Sequence, residues 1–181
     1  MSTPALRAFT AAVRRRDDWT CEPGLGADEL RRAEQHFGLA MAPLWREVLQ
    51  VVHPVQLPEP PRDADGILRW TRVPDWRLRD LEGTAFLIDG PVEGALFDVE
   101  YNEVWLPDWG ARPTSLDEAL DLARAELGRS PLLTPLWNHL YAGPSDDSPV
   151  VSIVQTDILV VADTLTEFIE RGLDTEVEPS L

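Results

Sequence analysis

The chain has no lysine. All 16 of its Lys+Arg side chains are arginine, in 181 residues, which we read as a bias of coding and not as chemistry. Cysteine is nearly missing too. Cys21 stands alone, which excludes an internal disulfide and any C-x-x-C metal pair. A free cysteine ordinarily behaves as a small buried residue. Histidine is limited to His36, His53 and His139, none with a second His or Cys at ligand spacing, so the zinc patterns are absent. No apolar run approaches the ~18 residues of a membrane span, and MSTPALRAFTAAVRRR has no apolar signal core. The expectation is a cytoplasmic chain. No G-x-S-x-G elbow, P-loop or G-x-G-x-x-G occurs. Gly24-Leu25-Gly26 is too short to cradle a phosphate and precedes no apolar strand.

What is present is acid. The net charge is −16, and it is unevenly spread. Residues 1–80 hold 12 Arg against 12 acidic residues, whereas residues 81–181 hold 4 Arg against 20. A surface of that sign repels nucleic acid and anionic membranes, whose binding depends on Lys and Arg. It attracts a basic protein and speeds encounter with it. Plain solubility is the alternative explanation of the acidity.

The length fits one domain, with a core over about residues 24–172 and an N-terminal helix over about 4–16 packed on it or appended. Such a chain can bury about 70% of its unfolded surface and needs no staple. The 16 prolines mostly punctuate the periodic segments.

Thr3 and Pro4 open a first helix, with Leu6, Phe9 and Val13 at helical spacing and Arg14 to Arg16 in its last turn. Ala27 to Phe37 form a second helix, stopped by Gly38. Pro43 opens a third, with Leu44, Trp45, Val48, Leu49 and Val52 as its apolar stripe and Pro54 at its end. Residues 54–66 read as a surface loop. From Thr84 the pattern reads as strands: Ala85 to Ile88, Ala95 to Val99 and Glu103 to Leu106, with Glu100-Tyr101-Asn102 as a hairpin turn. Ser115 begins a capping box with Glu118, and the helix runs to Leu127. Leu132 to Tyr141, Val150 to Gln155 and Ile158 to Val161 read as strands. Thr164 and Glu167 cap a last helix ending at Gly172, and the tail DTEVEPSL is expected to fray. This mixture predicts an α+β domain.

Candidate chemistry centres on Asp98, Glu100, Glu103 and Asp108. On a hairpin these acids could approach as a catalytic pair, as in glycoside hydrolases, or hold a divalent cation through oxygen. Against both, the D-x-D-x-D-G calcium pattern is missing, and strand alternation puts Asp98 and Glu100 on one face with Val99 on the other. An acidic protein-binding edge or a solvated face remains. His139, beside Tyr141, is the best general-base candidate by residue type. Of the seven tryptophans, Trp45 fits a helix core and Trp137 a strand, the Trp105/Trp109 pair, with Pro107 and Gly110, looks like a structural corner, and core packing is the favoured reading. A stacking platform for single strands would need cations among them, and only Arg112 is near.

One resemblance joins these segments. GADELRRAEQHFGLAMAPLWREVLQVV resembles the opening of SUKH domains, the family of the fungal Smi/Knr-type cell-wall regulators, through Gly38, Pro43, Trp45, Leu49 and Val52. GALFDVEYNEVWLPDWGARP, PLLTPLWNHLY and SPVVSIVQTDIL resemble an actinobacterial-type SUKH subgroup. Phe97, Asp98, Glu100, Trp105, Trp109, Gly110, Arg112, Pro113, His139, Tyr141, Pro149, Val150, Ser152, Gln155, Thr156 and Asp157 carry that likeness. The chain departs from it at Leu140 (Arg in the subgroup), at Val161-Ala162-Asp163-Thr164-Leu165 and at His53-Pro54. The resemblance implies a mixed, mostly antiparallel sheet flanked by helices, and a domain that binds rather than catalyses, with no cofactor and no metal. Bacterial members are similar to immunity proteins of toxin systems, many facing nucleases. The expected partner is thus a basic protein, with a toxin domain as the candidate, and neither nucleic acid nor membrane. The candidate partner-binding residues are Asp98, Glu100, Glu103, Asp108, Asp146 and Asp147. A regulatory or scaffold domain binding endogenous proteins is the alternative, and an acid/base enzyme using His139 or Asp98 the remote one.

Overall fold

The computed structural model describes residues 3–59, 61–62, 65–68 and 71–173. In chain order they form α1 (Pro4–Arg15), β1 (Trp19–Pro23), α2 (Ala27–Phe37), α3 (Pro43–Val51), β2 (Val52–Gln56), α4 (Leu81–Tyr101), α5 (Leu116–Leu127), β3 (Thr134–Trp137), β4 (Leu140–Ala142), β5 (Val150–Val154), β6 (Asp157–Ala162) and α6 (Leu165–Arg171). One 3-10 turn, Pro107–Trp109, precedes α5. The architecture is α+β. Its sheets are a two-stranded ribbon, β1-β2, and a four-stranded meander, β3-β4-β5-β6. Every pairing in them is antiparallel, where the expectation was a mixed, mostly antiparallel sheet. Among the described residues no helix is long and apolar enough to cross a membrane.

The helix starts follow local chemistry. The Thr3 hydroxyl accepts the Leu6 N–H, and the Thr164 hydroxyl accepts the Glu167 N–H. Each satisfies a donor that the first turn would otherwise orphan. Gly38 takes a left-handed conformation (φ 67°) to end α2. Ser115 does precede α5, but its side chain makes no capping bond.

An aromatic cluster joins α1, β1, α3, β3 and α6. Trp137 sits 5.6 Å from Trp19, 6.3 Å from Trp45 and 5.8 Å from Phe168, and Phe168 is 5.8 Å from Phe9. Tilted and edge contacts of this kind exceed their area burial by about 0.5–1.5 kcal/mol each. A second, smaller cluster is separate. Leu96 and Val99 of α4 meet Ala119 and Ala123 of α5, with Trp105 and Trp109 packed edge to face beside them at 5.1 Å. Ile88, one helical region earlier on α4, belongs to the larger core.

Three readings of the sequence are corrected. The expected strands Ala85 to Ile88 and Ala95 to Val99 instead lie in α4, a 21-residue helix with Pro91 inside it, and Glu103 to Leu106 follows it without forming a strand. The expected strand Leu132 to Tyr141 is a hairpin, turning at Asn138 and His139. The third helix stops at Val51, and His53-Pro54 lies in β2, paired with β1. The two strands of that ribbon carry Pro23 and Pro54, which obscured them. The tail over residues 174–181 lies outside the described residues.

Candidate docking face

Helix α4 is the longest element, and Pro91 interrupts its ladder. Proline has no N–H, so the carbonyl of Leu87, four residues back, loses its helical donor. The Tyr141 hydroxyl supplies the missing bond at 3.1 Å. Burial pushes the Tyr141 phenol up to about 12, so it stays a donor. Two glycines bring the helix and sheet this close. A Cβ at Gly90 would stand 3.1 Å from the Tyr141 Oη, and one at Gly94 would stand 2.9 Å from the Cα of Gln155.

Asp98 anchors the last turn of α4 to the β5–β6 turn. Its Oδ2 accepts the Thr156 N–H at 2.9 Å and the Thr156 hydroxyl at 2.6 Å, and its Oδ1 accepts the Asn102 amide at 2.7 Å. The Thr156 hydroxyl bond and then the Asn102 bond hold its carboxyl below the usual range. Asp98 is buried. The side chain expected to face a partner is therefore committed to the fold.

The other predicted acids scatter. Glu100 is exposed on α4 beside Tyr101. Glu103 is exposed just past the helix at φ 58°, its carbonyl accepting from Arg112 at 3.1 Å. Asp108 is exposed in the 3-10 turn. Asp146 lies between β4 and β5, where its Oδ1 accepts the Leu44 N–H at 2.8 Å and so caps α3 from 102 residues away. Asp147, beside it, is exposed. The structure groups Glu100, Glu103 and Asp108 near the end of α4 and puts Asp146 and Asp147 on the α3–α6 side.

The misread helix hid a clearer pattern. Glu82, Phe86, Asp89, Glu93, Phe97 and Glu100 recur at steps of three and four, which is one face of a helix, and all six are exposed. Phe97 stacks at 4.7 Å on Tyr101, itself 63% exposed. Residues 80–111 hold no basic side chain. The spacing was visible in the sequence, but Gly83, Gly90, Pro91 and Gly94 disguised it as turns.

Beside α4 the meander is only partly covered. One face of β4 and β5 supplies Leu140, Ala142 and Val150 to the large core. The opposite face meets α4 at Tyr141 and then runs out past it. Edge strand β6 is bare on both faces: Ile158 is 66%, Leu159 55% and Val160 54% exposed. A cleft of about 440 Å³ lies at the α4–sheet junction, walled by Phe86, Gly90, His139, Tyr141 and Val154. The Arg72 guanidinium sits over the Phe86 ring at 4.6 Å. Burial lowers the His139 pKa, and among the described residues no carboxylate lines the cleft.

His53 is itself buried and belongs to a different, partly exposed network. Arg77 donates to the His53 Nδ1 at 2.9 Å, to Glu22 at 2.6 Å and to Glu29 at 3.1 Å. Asp75 accepts from Arg79 at 2.9 Å and from the Arg77 N–H at 3.1 Å. Burial first and then Arg77 lower the His53 pKa, opposed by Asp75 and Glu22. His36 lies apart, exposed on α2. Among the described residues no three His, Cys, Asp or Glu side chains converge to hold a metal.

No family model, no curated protein and no solved structure matches this chain.

Proposed function

We propose that this chain is a non-catalytic protein-binding domain that docks a cationic protein on the outer face of α4 and the neighbouring β5–β6 hairpin. The observation that carries the reading is the acid–aromatic stripe from Glu82 to Glu100, exposed along a helix with no cation of its own. Acids at the rim steer a basic partner and set the rate of encounter, while aromatic anchors hold it by excluding water. Exposed aromatics ringed by charge are what interfaces have and solvated faces lack.

The SUKH resemblance sharpens this into an immunity protein. On that reading the partner is a toxin domain, a nuclease among the candidates, because a nuclease must hold phosphates with cations. An acidic face that covers those cations removes substrate and activity together.

The test is co-expression with a toxin domain encoded beside it. Cells should survive only when this chain is present, and the double reversal Glu93→Arg with Glu100→Arg should abolish protection while leaving the fold intact by circular dichroism. Protection undiminished by that reversal would overturn the reading, as would turnover of a small substrate by the purified chain.

A further inference from the structure

We infer that the free edge of β6 is a strand-addition site for an extended basic segment of the partner. This rests on the docking reading above and names how the partner is held.

The backbone geometry comes first. Ile153 donates its N–H to the His139 carbonyl at 2.9 Å, away from β6. Ile158 is the cross-strand partner of Ile153. In an antiparallel ladder, opposite residues turn their peptide groups the same way relative to the ladder, and every second pair turns them outward. The N–H and C=O groups of Ile158 and Val160 therefore point off the sheet. Among the described residues no backbone hydrogen bond from another segment reaches them.

Sheets usually guard such an edge with Lys, Pro, a covering helix or a very short strand. Here four residues, Asp157 to Val160, run open, with Ile158, Leu159 and Val160 all more than half exposed. The bulge near Val161, where Arg171 donates to the carbonyl at 3.2 Å, closes only the far end.

Charge decides the occupant. Residues 141–170 contain no basic side chain and six acids, with Asp157 opening the strand and Asp163 just past its end. A second copy would bring the same charge to the same edge, inside a molecule already at −16. A basic segment meets no such opposition. Side chains alternate across a strand. Ile158 and Val160 point to the face beside α4, and Asp157 and Leu159 to the other. The fitting segment alternates β-branched apolar residues with Arg or Lys, its apolar side over Ile158 and Val160 and its cations toward Asp157.

The probe is an acetylated peptide of about eight residues alternating Val and Arg, with a Val/Glu peptide as control. Amide exchange on the full chain should slow at Ile158 and Val160 with the Val/Arg peptide alone. Val160→Pro removes an outward N–H without touching the β5 ladder and should weaken binding by about tenfold or more. Leu159→Arg keeps the strand, sets cation against cation on the Asp157 face and should weaken it likewise. Equal binding of both peptides overturns the basic occupant, and so does a β6-dependent dimer. Absence of binding, or binding with Ile158 and Val160 exchanging as in the free chain, overturns the strand-addition site. If the native partner still needs Glu93 and Glu100 in that case, docking on α4 survives and only the edge is lost.

Discussion

The hydroxyl of Tyr141 donates to the carbonyl of Leu87, the helical acceptor that Pro91 leaves empty. A proline in mid-helix ordinarily costs ~3 kcal/mol, part of it the lost bond. The sheet returns that bond from 54 residues away. Tyr141→Phe keeps the ring and strands a buried acceptor. We expect a loss of about 1–3 kcal/mol in urea unfolding, whereas Pro91→Ala with Tyr141→Phe should recover much of it, because alanine restores the N–H. Equal losses in the single and double variants would show that the carbonyl does not depend on tyrosine.

Asp98 makes the second tie, and its removal leaves both Thr156 donors unpaired. Asp98→Ala should cost about 1–3 kcal/mol. Because the carboxylate and the hydroxyl interact directly, Asp98→Ala and Thr156→Val should be non-additive in a double-mutant cycle, by about 0.5–3 kcal/mol. Additive losses would separate the two residues.

Gly94 reverses a familiar expectation. In a helix interior, Gly→Ala gains about 1 kcal/mol from propensity alone. At Gly94 the new Cβ stands 2.9 Å from the Gln155 Cα, which is backbone and cannot swing aside. Gly94→Ala should therefore destabilise, by about 1–3 kcal/mol. A higher melting temperature than wild type would contradict the close approach.

His53 sets a pH dependence of definite sign. Unfolded, it titrates at the ordinary histidine value of about 6.5; folded, burial holds it lower. Between those values the unfolded chain binds the extra proton. Its contribution is thus whole above pH 6.5 and is lost as pH falls toward the folded value. Asp18, Glu22, Glu29, Asp75 and Asp98 are all depressed. Their stabilisation goes in a separate, more acid window, as each is protonated. Unfolding free energies from about pH 8 to about pH 5.5 should fall, and His53→Gln should flatten that slope. An unchanged slope would assign it to His139, which burial shifts in the same direction.

Docking led by charge is salt-sensitive. Association with a basic partner should slow sharply between about 50 mM and about 500 mM salt, as the Debye length shrinks from roughly 14 Å to roughly 4 Å. A constant on-rate would remove steering from the account.

The sequence was most readable where capping, stopping and periodicity agreed. Thr3, Pro4, Gly38, Pro43 and Thr164 mark helix ends by backbone chemistry that acts locally, and the structure puts helix ends there. Helix α4 was misread because what sustains it is remote. Gly90, Pro91 and Gly94 look like breakers until Tyr141 and Gln155 are beside them. The candidate acids failed in a related way. Asp98 and Asp146 look like surface charge in one dimension, but each closes a long-range bond, to Thr156 and to Leu44. The stripe from Glu82 to Glu100 could have been found by helical spacing once the turn signals were set aside.

The small cluster of Leu96, Val99, Ala119 and Ala123 shares no member with the large one that holds Ile88. Beyond Pro91, the end of α4 and all of α5 thus form a unit with its own, smaller reserve of buried apolar contact. Such a unit opens sub-globally, ahead of the whole. Amides of α5 should exchange through a cheaper opening than those of α3, and the Asp98–Thr156 tie should set the difference. A partner that seats on α4 would then close a hinge as it binds, and would register as slowed exchange in α5, which it never touches.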